Sequence, residues 1–373
     1  MKKELIKKLN GLKKKIDIMP NNYQRSIYIM NYFHILAYLR DTKQMNNYEL
    51  KKYNMDSDTT KMFNIIQKNL NNFVNQLERC NNKLIEIDFE LKNVYDNNNW
   101  HKLVNFDSIN KDYGKKIVSN FFKLLNDDVF ILYNEMKNSN ISYSSLHETN
   151  LEGTCYEILE SKYSYINLDN SSFNLSSLST LVHEVGHAYH NYLLRNHPKL
   201  TYYTIVDETM SSLFEKLFFK YLEKNYSNCF NVNALWYEYY SLSYYQLANL
   251  LLTSVLLQDK KVIEINSNLR CKTCYSVDEV IELAEDLECV VDDNPNLNIR
   301  DYIYLIGDLI SDYFLKIMDN DFNEGFKTFC NFMQEANYYA ISEILDKYCS
   351  DLTYTKQNIE RVIEIDKSYQ KKK

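Results

Sequence analysis

The sequence predicts a mainly α protein with one small β element, and three observations carry that prediction. Glycine occurs six times and proline three times in 373 residues, about a fifth of ordinary usage. Barrels and sandwiches of short strands draw on those residues at their many turns, so they are excluded. Apolar residues recur at i, i+3 and i+4 along most of the chain, the period of one helix face. Residues 163–168 (YSYINL) are the strongest strand candidate: short, β-prone and bounded by the turn-forming run DNSS at 169–172.

The first helix is expected over 1–18, where Leu5, Ile6, Leu9, Leu12 and Ile16 line one side and Pro20 follows. A Tyr- and Ile-rich helix or helix pair spans 21–47. A third runs over 56–92 on Met62, Phe63, Ile66, Leu70, Phe73 and Leu77, and a fourth over 115–136 after Gly114. The texture changes near Gly153, and the strand at 163–168 follows. Helices resume over 175–196, before Pro198, then over 203–225, 233–258, 276–287, 299–318 and 323–349.

Bulk composition narrows the function. Aromatic residues make up 14% and hydrophobic residues 45% of the chain, enough for a large core and against wholesale disorder. Neither GxGxxG nor GxxxxGK[ST] occurs, which argues against nucleotide-binding loops. The net charge is −7. Basic residues concentrate only in the first 16 positions, where seven Lys stand against one Glu; they read as the solvated face of the first helix, not as a nucleic-acid arm. The greasiest stretch, 247–257, is interrupted by Asn249 and is too short to span a bilayer. No apolar run follows the Lys-rich start, so a cytoplasmic protein with reduced thiols is expected. Of eight Cys, Cys271 and Cys274 form a CxxC with Cys289 beyond it; without a fourth ligand at metal spacing the pair reads as incidental.

One motif carries chemistry. Residues 181–190 read LVHEVGHAYH. His183 and His187 stand four apart on a helix, so their rings project from one face about a turn apart. That spacing lets both reach one tetrahedral Zn²⁺. Glu184 sits beside the pair, placed to act on water as a general base without ligating. Leu178, Leu181, Val182, Val185 and Tyr189 give the helix a buried side, while Gly186 and Ala188 admit a neighbour.

A third ligand is needed. His190 is three residues past His187, but three ligands on one rigid helix strain the geometry, which points to an outer role. The next helix carries VDETMSSLFEK, where Glu208 and Glu215 lie seven apart on one face with Ser211 and Ser212 between them. Glu208 is the third-ligand candidate, Asp207 the alternative, and Glu215 is placed to orient a ligand imidazole.

HEVGHAYH followed by VDETMSSLFE resembles the oligoendopeptidase F branch of the thimet-oligopeptidase-like zinc metallopeptidases. The likeness covers about residues 120–373 through specific motifs, including Gly153-Thr154-Cys155, YSYINLDNSS and the C-terminal helical layout. It implies a helical zincin fold with a small sheet lining a substrate cleft. It also implies one Zn²⁺ per chain on His183, His187 and Glu208, with Glu184 as base and Glu215 behind the ligands. The segment Tyr302-Ile303-Tyr304-Leu305-Ile306-Gly307 resembles the family's Tyr-x-Tyr-x-x-Gly, which implies an oxyanion-binding tyrosine, Tyr304 first and Tyr302 second. The expected substrates are short unfolded peptides, with no nucleic acid and no membrane involved. The expected division is a helical region at 1–145, shortened relative to the family, and a catalytic domain at 146–373. The family also carries a His just before the tyrosine segment, whereas this chain has none after His197 and reads VDDNPNLNIR there. Loss of one transition-state donor costs about 10²–10³ in rate. The alternative reading is therefore a weakened or inactive pseudo-peptidase that holds zinc and binds peptides or a partner.

Overall fold

The computed structural model describes residues 2–19, 23–53, 108–144, 152–158, 161–169, 173–195, 206–236, 299–336 and 341–349, with a few isolated positions beside them. The helices expected over 56–92 and 276–287, most of that over 233–258, and the CxxC at Cys271 and Cys274 lie outside these residues. The described elements belong to two compact units.

The first unit begins with α1 (Lys2–Ile18) and α2 (Tyr23–Asp41), followed by the short α3 (Asn47–Lys51). Leu5, Leu9, Leu12 and Ile16 of α1 are buried against Ile29, Tyr32, Ile35 and Leu39 of α2. Lys3, Lys7 and Lys14 stand on the exposed side of α1, as amphipathic spacing dictates. Tyr38 joins this layer to the sheet, edge-on to Tyr156 at 5.3 Å and Tyr165 at 5.0 Å between ring centroids.

The helix expected over 115–136 is two helices, α4 (Lys111–Leu125) and α5 (Asp127–Met136). Asn126 between them is extended (φ −169°, ψ 141°), and its side chain accepts from the amides of Asp128 and Val129. It ends one helix and caps the next.

Among the described residues the sheet has three strands, β1 (Ile141–Ser144), β2 (Gly153–Tyr156) and β3 (Tyr165–Asp169), in the order β1-β3-β2. β3 is parallel to β1, with Ile141 opposite Ile166, and antiparallel to β2, with Gly153 opposite Leu168. The central strand is the one the sequence marks most clearly, shifted by two residues at its start. It is buried through Leu168 because it is covered on both edges.

α6 (Leu175–Leu194) packs on β2 and β3. Its start is fixed by a capping box: the Asn174 side chain accepts from the Ser177 amide at 3.0 Å, and the Ser177 hydroxyl accepts from the Asn174 amide at 3.4 Å. Asn174→Ala is expected to cost about 1 kcal/mol, read as a lower denaturant midpoint at unchanged slope.

The second unit holds α7 (Thr209–Tyr226), α8 (Ile299–Asn320), α9 (Phe322–Glu335) and α10 (Ile341–Tyr348). The run expected as one helix over 323–349 is divided: α9 ends where the Ala336 amide donates to the Phe332 carbonyl, and a helix resumes at Ile341. Phe314 of α8 packs on Phe329 and Phe332 of α9, with ring centroids 5.0 and 5.2 Å away. α7 and α8 are fastened by Lys216, which is 0% exposed. Its ammonium lies 2.5 Å from a carboxylate oxygen of Asp308 and 2.5 Å from one of Asp312. It also donates to the Asp308 carbonyl and the Ser311 hydroxyl, each at 2.9 Å. Burial alone would lower the Lys216 pKa; the two carboxylates outweigh it and raise it. Among the described residues, no helix is long and apolar enough to cross a membrane.

Candidate metal centre

The apolar stripe of α6 decides where its histidines go. Leu178, Leu181, Val182, Val185, Ala188 and Tyr189 are buried, which leaves His183 and His187 half-buried. Four residues of helix bring the two rings together, 4.9 Å apart between centroids with planes at 77°. Their Nε2 atoms are 3.2 Å apart. Two ligands on one tetrahedral zinc, with bonds of about 2.0–2.1 Å, stand about 3.3–3.4 Å from each other. Glu208 completes the set: one ligand atom from each of His183, His187 and Glu208 lies within 4.8 Å of the others. Two imidazoles and a carboxylate are the donor set of hydrolytic zinc. The geometry is that of an HExxH metal centre.

Glu184 adjoins this trio on α6 and is 6% exposed. The start of β2 lies against it. A Cβ at Gly153 would come within 3.1 Å of Glu184 Cγ, 2.7 Å of Thr180 Cγ2 and 2.9 Å of Leu168 Cδ2, so any larger residue would have to displace these side chains. Just before it, Glu152 accepts from the Thr180 hydroxyl at 2.9 Å and the Ser176 hydroxyl at 3.4 Å. Glu152 also lines a cavity of about 130 Å³ with Tyr143, Leu168, Asp169, Phe173, Asn174, Ser176 and Ser177.

Glu208 occupies the N-cap position of α7, and its carbonyl accepts from the Ser212 amide at 2.9 Å. Its backbone is held by α8. A Cβ at Gly307 would stand 2.9 Å from the Glu208 carbonyl carbon, 3.0 Å from Glu208 Cβ and 3.0 Å from the Thr209 nitrogen. The glycine of the tyrosine segment is thus where α8 meets the proposed third ligand. Tyr304 lies on α8 just under one turn before Gly307 and is half-buried; Tyr302 lies two residues earlier on the same helix.

The other sequence candidates sit outside the trio. His190 is on the buried side of α6 at 2% exposure. Glu215 is half-buried two turns along α7 from Glu208. The Tyr239 phenol senses it: burial first, then Asp308 and Glu215, push that phenol well above its ordinary pKa. The sequence reading missed the buried Lys216 cluster. Its one local signal was two aspartates four apart in the otherwise apolar run LIGDLISDYFL.

No family model matches the chain, and no curated protein matches it. Solved structures do. A protein provisionally assigned as an oligoendopeptidase F, from Bacillus anthracis str. Ames, is 16% identical with a TM-score of 0.49, over 92% of this chain and 66% of that one. A provisionally assigned peptidase from Chlamydophila abortus is 17% identical with a TM-score of 0.49, over 93% and 62%. PZ peptidase A, bound to an inhibitor, is 12% identical with a TM-score of 0.47, over 69% and 48%. The chain therefore spans less than two thirds of the length of each of these structures.

Proposed function

We propose that this chain is a zinc-dependent endopeptidase of the oligoendopeptidase F-like branch, acting on short unfolded peptides in the cytoplasm. The observation that carries the reading is the convergence of His183, His187 and Glu208, with buried Glu184 beside them. The full donor set with its neighbouring base favours turnover over the pseudo-peptidase alternative.

His183 and His187 would hold the ion through Nε2 and Glu208 through a carboxylate oxygen. When bound, Zn²⁺ supplies Lewis acidity and makes its water acidic near neutral pH. Glu184 takes the proton of the attacking water and hands it to the departing amine, so one carboxylate serves as base and then as acid. Tyr304, or Tyr302 in its place, donates to the oxyanion. Glu215 helps orient the ligand set from outside. β2, an outer strand of the sheet among the described residues and beside Glu184, pairs with the backbone of an extended substrate.

Purified protein is expected to carry about one zinc per chain and to cleave quenched fluorescent peptides. Chelation should abolish cleavage and added zinc restore it, while His183→Ala should leave zinc well below stoichiometric. Undiminished cleavage by protein stripped of metal would refute the assignment.

A further inference from the structure

Lys216 is a poor candidate for a purely stabilising residue. A fully buried ammonium loses its hydration, and a buried ion pair adds little over an apolar replacement of similar volume. What such a cluster supplies well is geometry, because the charge accepts few arrangements. Here the ammonium is held by four oxygens of α8: Asp308 Oδ1, Asp312 Oδ1, the Asp308 carbonyl and Ser311 Oγ. The Ser311 hydroxyl in turn donates to the Asp308 carbonyl at 2.7 Å. Every one of these oxygens lies within five residues of Gly307, and Asp308 is its neighbour in sequence. Gly307 is the residue against which the Glu208 backbone rests. On α7, Lys216 follows Glu208 by eight residues, so both are fastened to the same stretch of α8.

We propose that Lys216 is a positioning residue for the metal centre: by clamping Asp308 and Asp312 it holds Gly307 against Glu208 and fixes the place of the third ligand. This rests on the reading of Glu208 as a ligand. The clamp touches neither metal nor substrate and acts through the separation and rotation of α7 and α8. A small shift there displaces the Glu208 backbone, and its carboxylate with it.

The test uses the full chain and zinc alone as probe. Zinc affinity is measured by competition with a chromophoric chelator, the visible spectrum is recorded with Co²⁺ in place of Zn²⁺, and unfolding is followed in the metal-free protein. Lys216→Met is expected to weaken zinc by about 10–100-fold, as for other outer-sphere partners of metal ligands, and to alter the cobalt band. Phe329→Leu, on α9 and distant in sequence from the clamp, should lower the metal-free unfolding midpoint while leaving affinity and spectrum at parent values. Should Lys216→Met fail to fold, the charge-neutral variant K216M/D308N/D312N is read in its place with the same expectation. Parent-like affinity with a parent-like cobalt band in the variant that folds would overturn the proposal. So would an equal loss of affinity in Phe329→Leu, which would make Lys216 a generic stabiliser. A parent protein that binds no zinc would instead overturn the metal-centre reading, and the proposal with it.

Discussion

Glu184→Gln is expected to lower kcat by about 10²–10⁴, the range for loss of a positioned general base, and to leave zinc content at the parent level. The amide keeps the size and packing of a side chain that is 6% exposed on α6 against the start of β2, so the fold should not register the change. It cannot take up a proton near neutral pH, so the step that generates the nucleophile is lost. The proposed ligands His183, His187 and Glu208 are untouched, and metal analysis separates this variant from one that has lost the ion. KM should move little, because Glu184 acts in the transition state and not in binding the substrate. A variant with parent kcat would remove Glu184 from the mechanism.

Gly307→Ala should have the next largest effect, and on a different observable. The added methyl would meet backbone atoms of Glu208 and Thr209 at 2.9–3.0 Å. Backbone at an N-cap cannot swing aside as a flexible side chain can, so α7 and α8 must separate. Overpacking of this kind costs about 1–3 kcal/mol. The larger consequence falls on the metal: displacement of the third ligand should weaken zinc binding by at least about tenfold. The position is helical with no positive φ, so backbone strain plays no part. Unaltered zinc affinity in Gly307→Ala would show that α8 does not set the place of Glu208.

These expectations differ in how far the sequence alone supports them. α6 and its histidines were legible because helical period and metal-ligand spacing are both local: one apolar stripe and one four-residue step place two rings together. Glu208 was legible for a weaker reason, its seven-residue spacing to Glu215 with small serines between; the helix expected from 203 in fact starts at Thr209, with Glu208 as its N-cap. Tyr302 and Tyr304 could be picked from 33 tyrosines only through likeness to a family. The break at Asn126 was missed because apolar spacing continues across it, although Asn followed by Asp127 and Asp128 is a helix-start signature. β1 was missed because ISYS is short and half polar; it is a strand because β3 lies beside it. Lys216 and its aspartates were invisible for a physical reason: they are 92–96 residues apart in the chain, and no local period encodes such a contact.

The order β1-β3-β2 has a bearing on solubility. Among the described residues it leaves β2 on the rim of the sheet, and a rim strand displays amide and carbonyl groups to which another strand can add. A long, flat, greasy rim would invite copies of the protein to stack into fibrous assemblies. This one is four residues long, GTCY, and Glu152 stands directly ahead of it with an exposed carboxylate. Shortness and charge at a rim are the ordinary means by which proteins deter such stacking. On the proposed reading, the strand beside Glu184 would engage a single extended chain, and it is too short to template a growing one.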